Sequence, residues 1–218
     1  SLAKGKYVVF LDADDCFDPS FLELMSRALD THGCDMAVCA ADCFIDGNRF
    51  DTSPHIDLPR GMSEGLVDLS TERGPFLYGL GTMAWNKMYR RDFLNAEALY
   101  FQDLPHTNDA FFTLASMLIC DSACLVDKAL VHYRITEGST QGRSAKAPLC
   151  SAVCAKSVLD YADNHADTLS ERTLLYLNTR CAEFFMTSVT RAAASGVDLC
   201  EAREAFGAFA KRAGNNPG

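Results

Sequence analysis

The chain has no basic excess: 29 aspartates and glutamates stand against 20 lysines and arginines, a formal net charge of -9 and a pI near 4.9. Such a surface has no general electrostatic pull on the phosphates of DNA or RNA, so nucleic acid is not an expected partner. The sequence also lacks an apolar run approaching the roughly 20 residues that cross a bilayer, and its start lacks the apolar core of a signal peptide. Ten cysteines are present, at 16, 34, 39, 43, 120, 124, 150, 154, 181 and 200, but no two are spaced Cys-x-x-Cys. Several lie in apolar stretches such as Ala37-Val38-Cys39-Ala40, where a free thiol packs as a small hydrophobe. Reduced, buried thiols in a cytoplasmic protein are therefore expected, rather than a disulfide framework or a zinc cluster. There is one tryptophan, and no repeat or low-complexity segment.

What is present is a 218-residue chain, 48% hydrophobic, large enough for a real core. Tyr7 to Leu11 reads as a buried strand ending in Asp12-Ala13-Asp14-Asp15. Asp18 then reads as a helix N-cap with Pro19 in the first turn, before an apolar-periodic helix that stops at Gly33. Asp46-Gly47-Asn48 suggests a hairpin after Met36 to Ile45, and 51 to 65 reads as a loop. A short helix near 71 to 79, strands at 83 to 89 and 99 to 101, and helical turns from 90 to 96 follow. An amphipathic helix is expected over 107 to 120, with Asn108 and Asp109 in its first turn. Next come two short strands, 124 to 126 and 130 to 134, joined by a turn. A polar loop at 136 to 144 leads to helices near 146 to 164, 170 to 194 and 198 to 213.

The acidic loop carries the strongest chemical signal. Open α/β sheets bind ligands beyond the carboxyl ends of their strands, and three adjacent carboxylates repel one another unless a cation joins them. Mg²⁺ or Mn²⁺ suits that need, taking one or two carboxylates and completing its sphere with phosphate oxygens. An EF-hand is excluded, because its fifth and sixth loop positions would be Cys16 and Phe17. A haloacid-dehalogenase-like phosphatase, with Asp12 as nucleophile, remains an alternative, since it needs the same strand-end geometry. Aspartates that merely cap the next helix are another.

Gly5-Lys6-Tyr7-Val8-Val9-Phe10-Leu11-Asp12-Ala13-Asp14-Asp15 resembles the Asp-x-Asp region of the family 2 glycosyltransferases. Trp85-Asn86-Lys87-Met88-Tyr89-Arg90-Arg91 is similar to the Trp-Asn-Lys-Leu-Tyr-Arg-Arg stretch of bacterial members, Asn108-Asp109 falls where they carry Glu-Asp, and Tyr133-Arg134 with Ser139 resembles a late Tyr-Arg and Ser signature. Four segments in the family's order cover about residues 1 to 142.

The resemblance implies an α/β, partial GT-A fold over 1–142, followed by a C-terminal helical region over 143–218. It implies a nucleotide-diphosphate sugar donor, Mn²⁺ or Mg²⁺ held by Asp12 and Asp14, inversion at the anomeric carbon, and Asp109 as catalytic base. Arg134 and Ser139 join Asp12 and Asp14 as donor- and diphosphate-binding residues, and Trp85, Asn86, Lys87 and Asn108 fall on the acceptor side. Trp85 reads as core more than as a sugar-stacking platform, given the apolar surface it would bury, and Lys87, Arg90 and Arg91 as phosphate contacts or flanking charges, the latter favoured for Arg91. His132 reads as a satisfied core histidine. Since the family places a nucleotide-binding half ahead of this strand, the chain is expected to be a C-terminal portion, inactive alone. The acceptor is expected to be a glycan or lipid-linked glycan, with peripheral contact at the inner membrane face. A homodimer through the face of Leu174, Leu177, Cys181, Phe184, Phe185 and Ser188 is possible, although core packing explains that face more simply. A module that binds glycan or a partner without turnover is the non-enzymatic alternative.

Overall fold

A computed structural model describes residues 3–45, 48–49, 62–135 and 146–197, with Cys200 and Gly207. Ser139, the hairpin turn at 46–47, most of the 51–65 loop, the 136–144 loop and nearly all of the 198–213 helix lie outside the described residues. The chain divides into two compact units, Ser1–Leu99 with Ser116–Glu137, and Tyr100–Ala115 with Gly138–Gly218.

The first unit is built on a seven-stranded sheet: β1 (Tyr7–Val9), β2 (Cys16–Phe17), β3 (Met36–Ile45), β4 (Asn48–Arg49), β5 (Gly65–Val67), β6 (Lys87–Arg90) and β7 (Ala123–Arg134). The order is β1-β6-β3-β7-β2, with β4 on β3 and β5 on β7. Among the described residues only β3 and β7 run parallel, and the other pairs are antiparallel.

The two strands expected at 124–126 and 130–134 are one. Both runs pair with β3 in the same direction, Met36–Cys39 against Ala123–Val126 and Ala40–Phe44 against Ala129–Arg134. A reversing turn between them is therefore excluded. The register shifts after Cys39 and the exposure of Asp127 and Lys128 show that the extra residues bulge out instead. The outer edge of β7 is shared, β5 pairing with Ala123–Leu125 and β2 with Val131–His132.

Helix α1 (Phe21–His32) buries Phe21, Met25 and Leu29 at i, i+4 and i+8. These pack with Ala37, Cys39 and Ala41 of β3 and Val131 of β7 in one apolar cluster. Gly33 ends the helix at φ 65°, a conformation that glycine adopts without steric cost. Asp18 is not the N-cap. Ser20 occupies that position, while Asp18 Oδ1 accepts the Ser20 N–H at 2.8 Å and its carbonyl accepts the Phe21 N–H, closing the turn one step earlier. Helix α2 (Leu69–Gly79) is capped by Asp68, which accepts the Ser70 N–H at 3.0 Å. Helix α3 spans Arg91–Ala96, and α4 spans Ala110–Ile119. Arg73 Nη1 donates to the carbonyls of Met117, Leu118 and Cys120, so a side chain of α2 satisfies the C-terminal end of α4.

In the second unit, the expected strand at 99–101 does not form. Phe101 stacks on Phe112 at 4.7 Å and Tyr100 tilts against Phe111 at 5.4 Å, which uses these aromatics for packing rather than pairing. Helices α5 (Cys150–Asp163) and α6 (Glu171–Ser195) follow. The α6 face of Leu177, Cys181, Phe185 and Ser188 is buried. Leu174 and Phe184 at its margins are half-buried, so the face serves as core. Leu149 offers no cap to α5, so the α6 hydroxyl of Ser188 accepts the Ala152 N–H at 2.8 Å in its place. None of the ten cysteines is in a disulfide, and eight are buried. Among the described residues no helix is long and apolar enough to cross a membrane.

Candidate active site

Three aspartates leave β1 on one short loop, with different fates. Asp12 and Asp14 are exposed, whereas Asp15 is only 8% exposed. The Asp15 N–H donates to the Asp12 carbonyl at 3.2 Å, which turns the chain. Asp15 Oδ1 then accepts the backbone N–H of Arg134 at 2.8 Å, and its Oδ2 is buried with no hydrogen-bond partner among the described residues. Burial pushes the Asp15 carboxyl up to about 6, opposed by the Arg134 N–H and reinforced by the charges of Asp12 and Asp14. Partial burial, and then Asp14, also raise Asp12.

Arg134 returns the contact. Its Nε donates to the Asp14 carbonyl at 2.9 Å, and its guanidinium lies 4.6 Å from the centre of the Phe44 ring. Arg134 thus sits at the acidic loop, held to its backbone rather than extended into solvent. On the same face of β7, His132 Nδ1 meets Asp42 Oδ1 of β3 at 2.6 Å, so His132 is a satisfied histidine.

Trp85, Asn86 and Lys87 turn inward, at 5%, 0% and 0% exposure. Trp85 stacks on Tyr133 at 5.6 Å. Asn86 Nδ2 donates to the Cys39 carbonyl, and the Asn86 carbonyl accepts the Cys39 N–H, both at 3.0 Å. Lys87 Nζ donates to the carbonyls of Gly81 and Met83 and to Asn86 Oδ1 at 2.7–3.0 Å. Arg90 is likewise structural: Nε donates to the Cys34 carbonyl, Nη2 to that of Gly33, and the guanidinium pairs with Asp35.

Asn108 and Asp109 belong to the second unit, Asn108 exposed and Asp109 half-buried. The helix begins at Ala110 rather than 107, and the Asp109 carbonyl accepts the Thr113 N–H at 2.9 Å, which puts Asp109 at the N-cap. The preceding residue pair went unnoticed in the sequence. Thr107 has φ 61°, a region that a β-branched residue enters only under strain. Buried His106 braces it, Nδ1 lying 2.7 Å from Thr107 Oγ1 and Nε2 2.7 Å from the Ala147 carbonyl. The Gln102 N–H also binds the Asn108 carbonyl at 2.9 Å. No composition or periodicity signal marks such a turn.

Among the described residues no group of three or more His, Cys, Asp or Glu side chains is gathered to hold a metal ion. Asp12 and Asp14 nevertheless suit a hard divalent cation: they are accessible oxygen donors whose charges oppose each other, and Mg²⁺-type sites commonly use only one or two carboxylates beside phosphate.

A mixed sheet with an aspartate-bearing loop beyond a strand end is the GT-A glycosyltransferase architecture. The crystal structure of S. aureus TarS 1-349 in complex with UDP-GlcNAc shares it, with a TM-score of 0.52 and 18% identity over 88% of this chain and 60% of that one. Residues 1–96 match the family model described as Glycosyl transferase family 2. EpsH of Bacillus subtilis (strain 168), named as a glycosyltransferase, is 30% identical over 157 residues, 66% of this chain and 42% of that protein. The succinoglycan biosynthesis protein ExoO of Rhizobium meliloti (strain 1021) is 26% identical over 140 residues, 63% of this chain and 40% of that protein. The chain thus spans about two fifths of the length of these relatives.

Proposed function

We propose that the parent enzyme transfers a sugar from a nucleotide-diphosphate donor to an acceptor hydroxyl, with inversion, in the synthesis of an extracellular or envelope polysaccharide. The observation that carries this reading is the exposed Asp12 and Asp14 pair at the end of β1, inside the segment that matches the family. The name of ExoO supports a polysaccharide product, and the UDP-GlcNAc bound by TarS supports a nucleotide-sugar donor.

In this reading Asp12 and Asp14 would hold Mn²⁺ or Mg²⁺. A bound divalent ion supplies Lewis-acid stabilisation of the leaving diphosphate. Asp109 accepts the acceptor hydroxyl proton at a carboxylate oxygen. Asn108 removes the neighbouring negative charge that the usual Glu provides, and so one cause of a raised base pKa. Buried Trp85, Asn86 and Lys87 act on the site through the sheet that carries it rather than by touching sugar. The acceptor is a glycan or lipid-linked glycan met at the inner membrane face.

Calorimetric titration of Mn²⁺, with and without uridine diphosphate, tests the site in this chain and in Asp12→Asn/Asp14→Asn. The expected result is metal binding that strengthens with the nucleotide and disappears in the variant. Binding that survives both substitutions would overturn the assignment.

A further inference from the structure

We infer that Asp15 and Arg134 are positioning residues, forming a two-way clasp that fixes the Asp12–Asp14 loop to the end of β7. The inference rests on the metal-and-donor reading above for its purpose, but not for its geometry. Each partner supplies a bond to the other's backbone: Asp15 Oδ1 takes the Arg134 N–H at 2.8 Å, and Arg134 Nε gives to the Asp14 carbonyl at 2.9 Å. The two bonds close a ring through the Asp14–Asp15 peptide, so that peptide plane cannot flip without breaking one of them. Phe44, opposite Arg134 in the β3–β7 register, supports the guanidinium from one side.

The cost of the arrangement argues that it is selected for position. Asp15 is buried with one carboxylate oxygen unpartnered among the described residues, a configuration that usually destabilises a fold. An asparagine or serine would satisfy the Arg134 N–H without burying charge. A carboxylate there makes a stronger, charge-assisted bond to the N–H, and it sits immediately after Asp14. The inference also changes the role of Arg134. Its Nε, the bond that sets the guanidinium plane, points at the loop's backbone, so Arg134 orients the carboxylates that meet the donor.

The test is hydrogen–deuterium exchange on peptides covering residues 10–18, in the chain and in Asp15→Ala, Asp15→Asn and Arg134→Leu. Losing one charge-assisted bond raises local opening by about ten- to a hundredfold. That rise is expected in Asp15→Ala, and about half of it on a logarithmic scale in Arg134→Leu, which keeps the backbone half of the clasp. Asp15→Asn retains an acceptor oxygen without the charge, and its exchange falls between that of Asp15→Ala and the parent. Peptides from α6 serve as the control and stay unchanged. Should Asp15→Ala fail to fold, Arg134→Leu decides alone, since it leaves the buried carboxylate and its bond in place. Unchanged loop exchange in Arg134→Leu, or Asn behaving like Ala, overturns the clasp.

Mn²⁺ titration with uridine diphosphate, read by electron paramagnetic resonance on the same variants, separates the two readings. Weaker Mn²⁺ binding in Asp15→Ala that Asp15→Asn partly restores supports the clasp's purpose. Loosened exchange without any Mn²⁺ binding in the parent chain upholds the clasp and sinks the metal reading, and normal Mn²⁺ binding with unchanged exchange does the reverse.

Discussion

Asp12-Ala13-Asp14-Asp15 and Trp85-Asn86-Lys87 both resemble the same family's signature, yet the structure treats them in opposite ways. The first segment presents two carboxylates to solvent, and the second withdraws its tryptophan, amide and ammonium almost completely from it. A motif can therefore recur because its residues touch substrate, or because the scaffold that holds them needs those shapes and bonds. Mutation separates the two: surface members are expected to lose ligand without losing fold, and interior members the reverse.

The largest effect belongs to the interior. Trp85→Ala removes a buried aromatic from the cluster shared by α1, β3 and β7 and from its stack on Tyr133. Such truncations cost about 3–5 kcal/mol. Urea denaturation followed by far-ultraviolet circular dichroism reads this as a fall in midpoint at constant slope. A loss under about 1 kcal/mol would return Trp85 to the ligand side of the comparison.

Asp15 lies between the two classes, in the exposed motif but buried, and pH exposes its position. Its folded carboxyl sits near 6, above the roughly 3.9 of an unfolded aspartate. The folded state therefore binds more protons between those values. The stabilising contribution is fully present below about pH 4 and is lost as pH rises through about 6, amounting to roughly 3 kcal/mol at most. In metal-free buffer, the stability of Asp15→Asn relative to the parent should rise from pH 4 to pH 7. A flat difference across that range would mean that the carboxyl is better solvated than its burial indicates.

The sequence disclosed the parts of this molecule that repeat a physical pattern. Phe21, Met25 and Leu29 at helical spacing located α1, and the 170–194 periodicity located α6 to within a residue at each end. The loop carrying Asp12 and Asp14 was legible because an apolar strand running into acids is unusual. Short elements stayed hidden. β2 and β5 are two and three residues long and exist only because the outer edge of β7 offers them partners. The single β7 looked like two strands because Asp127-Lys128 mimics a turn, and only pairing with one partner reveals a bulge. Asp42, a charge within an apolar strand, pairs with His132 of β7, and no spacing in the sequence announces that pairing.

The Asn108-Asp109 turn gives a smaller test of how a carboxylate is held. Where the first loop uses a buried acid, this turn uses a strained residue, Thr107 at φ 61°. Asparagine tolerates the left-handed region better than a β-branched residue and keeps a side-chain oxygen to face His106. Thr107→Asn should stabilise the chain by about 0.5–1 kcal/mol, measured by the shift in urea midpoint. Destabilisation would show that the bond between Thr107 Oγ1 and His106 Nδ1 outweighs the strain.

The smallest change is expected at the exposed end of the comparison, and it is the most telling. Asp12 and Asp14 are exposed and repel each other, which contributes to the upward shift of Asp12. Asparagine at both positions removes that repulsion and leaves the Asp15–Arg134 bond untouched. Exposed charge interactions are worth little in water, so the double variant should match the parent in urea stability or exceed it by no more than about 0.5 kcal/mol. Residues that the fold does not need, and whose charges slightly oppose it, are the kind of local conflict found at functional sites. A stability loss of 1 kcal/mol or more would mean that these carboxylates make structural bonds, and would put them with Trp85 on the scaffold side of the motif.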